Sequence, residues 1–317
     1  MTIGIPNALL YYRYQYLWKT FFAELGCDVV TSGSTCQATL TQGVGLSVAE
    51  CCLPVKLFLG YVANLIGRCD AILVPRFETL EKNLEFCVRF WGLPDVVRNT
   101  FPQANVLSYN LKGREGREFL ALGKRLGKHP AQILKAYRRG VQEQSRQDRL
   151  AREQQEILLS SPAPKVLLAG QPYLIHDAFG GGPVIRMIEQ QGGIPIFAER
   201  FDRKACRAAS KELSRDLYWV VNQEIIGAIP LAKHQVDGVL LVTAFPCGTD
   251  SLVNELVLRR VGDLPIAQIV LDEHQGEAGL QTRVECFMDI LQERRGVRKA
   301  DTKVEPGLGR DIIVNLG

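Results

Sequence analysis

At 317 residues, 46% of them hydrophobic, the chain has the composition of an ordinary globular protein and the length for two cores rather than one. Its formal charge of +4, from 38 basic and 34 acidic residues, is too small to point to nucleic acid or an anionic membrane surface as a partner. The opening MTIGIPNALLYYRY lacks the basic-then-apolar pattern of an export signal, and no apolar run approaches the roughly 18–20 residues that span a bilayer, so a cytoplasmic protein is expected.

Taken in chain order, β-rich runs at 2–5 and 28–31 alternate with amphipathic helical segments at 14–25 and about 54–66, followed by a third strand at 71–74. Alternation of this kind predicts a parallel sheet with helices on both faces. Residues 114–159 are rich in charge and helix formers and read as a helical connector. The Ser and Pro residues at 160–164 precede a second alternating series, with strands at 166–169, 195–198, 239–243 and 266–271 and a helix after Gly182. The expected organisation is an N-terminal α/β domain (1–112), a helical connector (113–162), a C-terminal α/β domain (163–293) and a loosely packed tail (294–317).

Open parallel sheets gather ligands at the carboxyl ends of their strands. The unusual residues fall there: Asn7 after the first strand, Ser32 to Cys36 after the second, Pro75 and Arg76 after the third, Gln171 to Asp177, Phe245 to Asp250, and Asp272 to Gly279 after the last. Nine cysteines without an export signal are better explained as buried thiols or metal ligands than as a disulfide framework. Three stand out by context. Cys52 lies in Glu50-Cys51-Cys52-Leu53-Pro54-Val55-Lys56, just before a helix that Pro54 helps to start. Cys87 lies in a loop-like stretch ending in Gly92-Leu93-Pro94-Asp95, and Cys247 in Phe245-Pro246-Cys247-Gly248-Thr249-Asp250, after the apolar run VLLVTA. A helix N-terminus or a nearby Lys favours the thiolate that metal ligation needs. Spacings of 35 and 160 residues match no compact cluster or zinc motif. A free cysteine can equally pack as a small hydrophobe, which is the reading for Cys27, Cys69 and Cys286 inside apolar runs. Cys36, Cys51 and Cys206 stay open between the two.

Other polar residues have plainer alternatives. Glu273, His274 and Glu277 cluster beyond the last strand and are candidates for proton exchange with a bound acyl group, against helix capping and solvation. Lys56 and Arg283 could meet an acidic substrate or an anionic cluster, or form surface ion pairs. Gly180-Gly181-Gly182 before Pro183 reads first as a loop entering a helix, and His129 before Pro130 as a structural residue. The absence of GxxxxGK[ST] and of GxGxxG argues against ATP hydrolysis and nicotinamide binding.

These residues carry a resemblance. GIPNALLYYRYQYLWKTFFAELGCDVV, SGST, ECCLPVKLFLGYVANLIGRCDAILVPR, Gly92-Leu93-Pro94-Asp95, Phe245-Pro246-Cys247-Gly248, and Asp272 to Gly279 followed by Thr282-Arg283, together spanning nearly the whole chain, are similar to the CoA-enzyme activase-related branch (DUF2229) of the 2-hydroxyacyl-CoA dehydratase and benzoyl-CoA reductase family. The resemblance implies two flavodoxin-like parallel-sheet domains, with cysteines from separate domains holding an iron–sulfur cluster. Carried onto matching positions, Cys52, Cys87 and Cys247 become the ligands of a [4Fe-4S] cluster with one open iron. A double-cubane cluster would need more thiols, with Cys36 or Cys51 as candidates, or a second subunit. It further implies an ATP-dependent activase-type reductase as electron donor, a small substrate such as an acyl-CoA, and a fold that allows a dimer. Relatives commonly show His-Gly-His where this chain has Leu59-Gly60-Tyr61, and Cys-Pro where it has Cys87-Val88, so cluster binding is better supported than proton transfer. A non-catalytic cluster-binding or regulatory member is the alternative, and a zinc-stabilised module a third class.

Overall fold

Thr2–Ile5 (β1) and Asp28–Thr31 (β2) form strands where the sequence predicts them, joined by Tyr11–Glu24 (α1), whose Tyr14, Leu17, Trp18, Phe21 and Phe22 are buried at helical spacing. The computed structural model describes residues 1–113, 115–274 and 276–301. It is a mixed α/β protein with parallel sheets, in two units: Met1–Leu150 with Tyr218–Val220, and Ala151–Leu217 with Val221 onward.

In the first unit the chain continues through Gln37–Gly45 (α2), Leu53–Leu65 (α3), Ala71–Leu73 (β3), Arg76–Glu81 (β4), Leu84–Glu85 (β5), Val88–Thr100 (α4), Val106–Leu107 (β6), Asn110–Lys112 (β7), Glu115–Arg125 (α5) and Pro130–Leu159 (α6). Strands β2-β1-β3-β6 pair in parallel, in registers such as Gly4↔Val30 and Gly4↔Ile72. A second small sheet, β5-β4-β7, is unexpected from the sequence. Around it Phe77 packs against Tyr14, Phe86 and Tyr109, and Trp18 Nε1 donates to Tyr109 Oη at 2.9 Å.

Helix α4 corrects the expectation that Cys87 to Asp95 is loop-like. It runs through Gly92 and Pro94 because Phe90, Leu93, Pro94 and Val97, one helical face, are all buried. Apolar packing of that face outweighs the backbone hydrogen bond that Pro94 cannot donate.

The second unit comprises Lys165–Gly170 (β8), Pro172–Ile175 (α7), Gly181–Gln190 (α8), Ile194–Phe197 (β9), Arg203–Ala209 (α9), Val220–Ala232 (α10), Gly238–Ala244 (β10), Gly248–Arg260 (α11), Ile266–Leu271 (β11) and Glu277–Asp301 (α12). Its sheet, β11-β10-β8-β9, is also wholly parallel, and all seven residues of β10 are buried because strands flank it on both edges. Counted by order of appearance, both four-stranded sheets have the strand order 2-1-3-4. The segment 113–162 is shared between the units, and α12 continues to Asp301, through the start of the expected tail. The rest of that tail, 302–317, lies outside the described residues. Among the described residues no helix is long and apolar enough to cross a membrane.

Candidate functional site

A 2-1-3-4 order reverses direction between the first and third strands, and the crevice beyond the carboxyl ends at that point is where parallel sheets take ligands. In the first unit it lies past β1 and β3. There Pro6, Leu9, Leu10, Phe58, Val74 and Phe90 help to wall a small apolar cavity. Asn7 N donates to Ser32 Oγ at 2.9 Å, tying the loop after β1 to the loop after β2, while Asn7 Oδ1 is buried without a hydrogen-bond partner.

Phe58 and Phe90 belong to α3 and α4, and each helix begins at a cysteine. Cys52 is the N-cap of α3 and Cys87 of α4; both are half-buried, in extended backbone, and their carbonyls accept the first intrahelical bonds, from Val55 at 2.9 Å and Phe90 at 2.9 Å. An N-cap ordinarily carries Ser, Thr, Asp or Asn, whose oxygen satisfies first-turn amides. Neither cysteine side chain makes a cap hydrogen bond, and each stands at the positive end of its helix dipole. The first turn of α4 also reaches the segment before α3: Arg89, two residues after Cys87, donates to the carbonyl of Glu50, two residues before Cys52, at 3.4 Å.

Cys36 repeats the pattern as the N-cap of α2, but it is exposed. Its Sγ lies 3.3 Å from Thr39 Oγ1, and Asn64 Nδ2 donates to the same hydroxyl at 3.1 Å. Either atom can be the donor in the contact between the sulfur and the Thr39 hydroxyl. The hydrogen bond from the Thr39 side chain holds the thiol below its usual value. Helices α2 and α3 cross closely at paired glycines: a Cβ on Gly43 would sit 2.0 Å from Lys56 O, and one on Gly60 2.2 Å from Thr39 O. Leu59 and Tyr61 on either side are buried, and the Tyr61 hydroxyl bonds Thr35. This triplet is therefore part of a helix crossing. Cys51 packs inward.

In the second unit the crevice lies past β8 and β10, and polar groups fill it. Asp250, in the first turn of α11, accepts through Oδ1 from Gln171 Nε2 at 2.9 Å and Asn222 Nδ2 at 2.8 Å, while Thr243 Oγ1 lies 3.4 Å from Oδ2. All four residues are buried. Three neutral donors and the helix N-terminus thus stabilise the carboxylate. Cys247 is the N-cap of this same helix, with Sγ 3.3 Å from Thr249 Oγ1. Beyond β8 and β9, His176 Nε2 lies 2.5 Å from Glu199 Oε1. Burial opposes the Glu199 charge, yet the neighbouring His176 ring holds the carboxyl below its usual value. No sequence motif marks either group, since their members are 7 to 79 residues apart.

The triple glycine resolves as structure. Asp177 Oδ1 accepts from the amides of Phe179 and Gly180, both at 2.9 Å, and a Cβ on Gly181 would sit 2.4 Å from Ile175 O. The amides are taken by the chain's own carboxylate, and glycine is needed for close approach. His129 Nδ1 likewise accepts from Ala131 N.

Glu273, His274 and Glu277 sit past edge strand β11: the His274 amide donates to Asp272 Oδ1 at 2.7 Å, and Glu277 is exposed in the first turn of α12. Cys27 is buried, and Cys69 Sγ donates to Leu65 O at 3.3 Å. Cys286 corrects its expectation. It faces solvent on α12, while Val284, Phe287, Met288 and Leu291 take the buried face. Cys206 is buried, and desolvation, reinforced by Glu224 and Asp202, pushes its thiol up to about 12. Among the described residues, no three or more His, Cys, Asp or Glu side chains are gathered to hold a metal ion.

Residues 2–200 match the family described as the CoA enzyme activase uncharacterised domain (DUF2229). That match includes Cys52 and Cys87 and stops before Cys247 and Glu273, so it is shorter than the resemblance across nearly the whole chain. No curated protein matches the chain. Two solved structures are distantly similar: the SBP FpvC from Pseudomonas aeruginosa in complex with Mn2+, at 10% identity over 94% of this chain and 99% of that one, TM-score 0.29; and a carbohydrate transporter from Acidothermus cellulolyticus 11B in complex with myo-inositol, at 11% identity over 100% and 92%, TM-score 0.21.

Proposed function

The chain belongs to the CoA enzyme activase uncharacterised domain family, and from that premise we propose that it is an iron–sulfur redox component that receives low-potential electrons from an ATP-dependent activase-type reductase. The observation that carries the reading is the pair Cys52 and Cys87: two half-buried thiols at helix N-caps, with Arg89 in the first turn of α4 donating to the Glu50 carbonyl before α3 at 3.4 Å. Soft thiolate donors of this kind fit an iron–sulfur group. The proposal takes Cys247 as the third thiolate because of its own setting at the N-cap of α11. A bound [4Fe-4S] cluster would supply one-electron transfer, and a double cubane would need further thiols. What the chain itself supplies is the positive end of a helix dipole at each cysteine, and apolar walls from Phe58 and Phe90 that limit water beside α3 and α4. The matching 2-1-3-4 orders support two flavodoxin-like halves.

If a small substrate such as an acyl-CoA is reduced or dehydrated, Glu273, His274 and Glu277 are the proposed proton-transfer groups. The buried Leu59-Gly60-Tyr61 favours a second reading, a non-catalytic cluster-binding or regulatory member, because those positions serve the α2–α3 crossing.

Purification and reconstitution without oxygen test the proposal. Iron, sulfide and broad visible charge-transfer absorption are expected in the wild-type chain and reduced in Cys52→Ser, Cys87→Ser and Cys247→Ser, but not in Cys286→Ser. Full iron retention in the first three would refute the ligand set. Zinc in place of iron would move the chain to the structural-zinc class.

A further inference from the structure

The second unit has a separate polar cavity of ≈ 420 Å³ at the opposite, amino end of its sheet. Its lining includes Lys165 at the start of β8, Lys233 and His234 just past α10, Asp237 before β10, Asp263 before β11, and Arg295 on α12. The charges are not equally committed. Asp237 Oδ2 accepts from Lys165 N at 2.8 Å and from Arg295 Nη1 at 2.7 Å, so Asp237 and Arg295 largely cancel. Arg295 is fixed further by the Pro162 carbonyl. Lys165 Nζ is held at 2.8 Å by the neutral carbonyl of Ser161, which orients the ammonium without neutralising it. Lys233 meets Asp263 only at 3.9 Å; Lys233 is half-buried and Asp263 exposed.

A cation just past a helix C-terminus is partly explained by the helix dipole, which accounts for Lys233. It does not account for Lys165, on a strand across the cavity. From this positioned positive charge in a space of ligand size, we propose that the cavity binds a small phosphate-bearing anion, a phosphomonoester or diphosphate, with Lys165 and Lys233 as its principal contacts. The inference is independent of the cluster, because every residue used lies at the amino end of the second unit's sheet.

Calorimetric titration of the full chain with inorganic pyrophosphate at low ionic strength tests it, since salt screens such contacts. One saturable site is expected, weakened about tenfold in Lys165→Gln and in Lys233→Gln, as loss of one such contact implies. Lys135→Gln, exposed on α6, should leave it unchanged. Lys233 is half-buried, lies just past the end of α10 and makes only the 3.9 Å contact with Asp263, so its variant should fold normally, which keeps the test decisive should Lys165→Gln disturb β8. Absence of saturable binding, or equal affinity in all variants, would overturn the proposal. So would displacement of pyrophosphate by an equal concentration of sulfate, which would mark a non-selective anion patch.

Discussion

Replacing Asp250 with Ala should destabilise the second unit by about 3–5 kcal/mol, because the two closest hydrogen bonds to its carboxylate come from buried side chains. Removing the acceptor leaves Asn222 Nδ2 unsatisfied and Gln171 Nε2 with only its 3.5 Å bond to Asn222 Oδ1, at about 1–3 kcal/mol each, with a smaller loss of favourable charge at the start of α11. Asp250→Asn keeps an acceptor oxygen for both donors and should cost about 1–2 kcal/mol, for the lost charge and a misdirected amide. Trp18 and Trp91 lie in the first unit, but Trp219 directly precedes the helix that carries Asn222, so tryptophan fluorescence does not separate the two units. Native-state hydrogen exchange on the amides of β8 and β10 reads it directly: protection should fall by between about a hundredfold and a few thousandfold in Asp250→Ala, at about tenfold per 1.4 kcal/mol. A loss under tenfold, or the same loss in Asp250→Asn, would show that the donors find other partners and that the network is not a tie.

Gly60→Ala should destabilise the first unit by about 2 kcal/mol or more despite alanine's better helix propensity, because its methyl meets Thr39 O at 2.2 Å; in urea followed by tryptophan fluorescence, Gly45→Ala, with open space at its Cβ, should show no such loss. Cys36 should be alkylated by iodoacetamide faster than Cys286 at neutral pH, and Thr39→Val should slow it by removing the hydrogen bond that lowers its pKa; equal rates in the two proteins would refute the Asn64–Thr39–Cys36 arrangement. Cys206 has a folded pKa raised above the unfolded one, so its contribution to stability is complete below the unfolded value and is lost as pH rises toward about 12. The limiting slope is about 1.4 kcal/mol per pH unit, and the difference in alkaline stability between wild type and Cys206→Ala should fade over that range.

The strands were legible because short β-branched runs have few other uses: 2–5, 28–31 and 266–271 match the observed β1, β2 and β11 to the residue. Helix α4 was hidden by Gly92 and Pro94, which are local breakers, whereas the buried face that overrides them is a tertiary fact. The sheet β5-β4-β7 was hidden for a similar reason: its outer strands are two and three residues long and acquire meaning only through β4. Among the thiols, local context picked out Cys52, Cys87 and Cys247, all of which prove to be N-caps. It misplaced Cys286 because an apolar run on an amphipathic helix still turns some positions outward. The Asp250 network and the His176–Glu199 pair depend on chain crossings between residues far apart in sequence, which no local pattern encodes.

The two sheets share one strand order but use their crevices differently, and the difference bears on where chemistry could occur. In the second unit, the Gln171 to Asp250 hydrogen bond spans the gap between the loop after β8 and the helix after β10. A ligand entering there must break a buried, charge-assisted bond before making one of its own. In the first unit the corresponding gap is walled mainly by apolar side chains, with Asn7 Oδ1 the unpartnered buried polar atom of the loop after β1. The two crevices therefore differ in what a ligand would meet. The candidate thiols stand at helix starts, with Cys36, Cys52 and Cys87 in one unit and Cys247 in the other. On the proposed function they act as ligands of a bound group, whereas a crevice enzyme would carry its acid and base in the gap. This is why the anaerobic metal content of the cysteine variants separates the functional readings more sharply than any substrate screen.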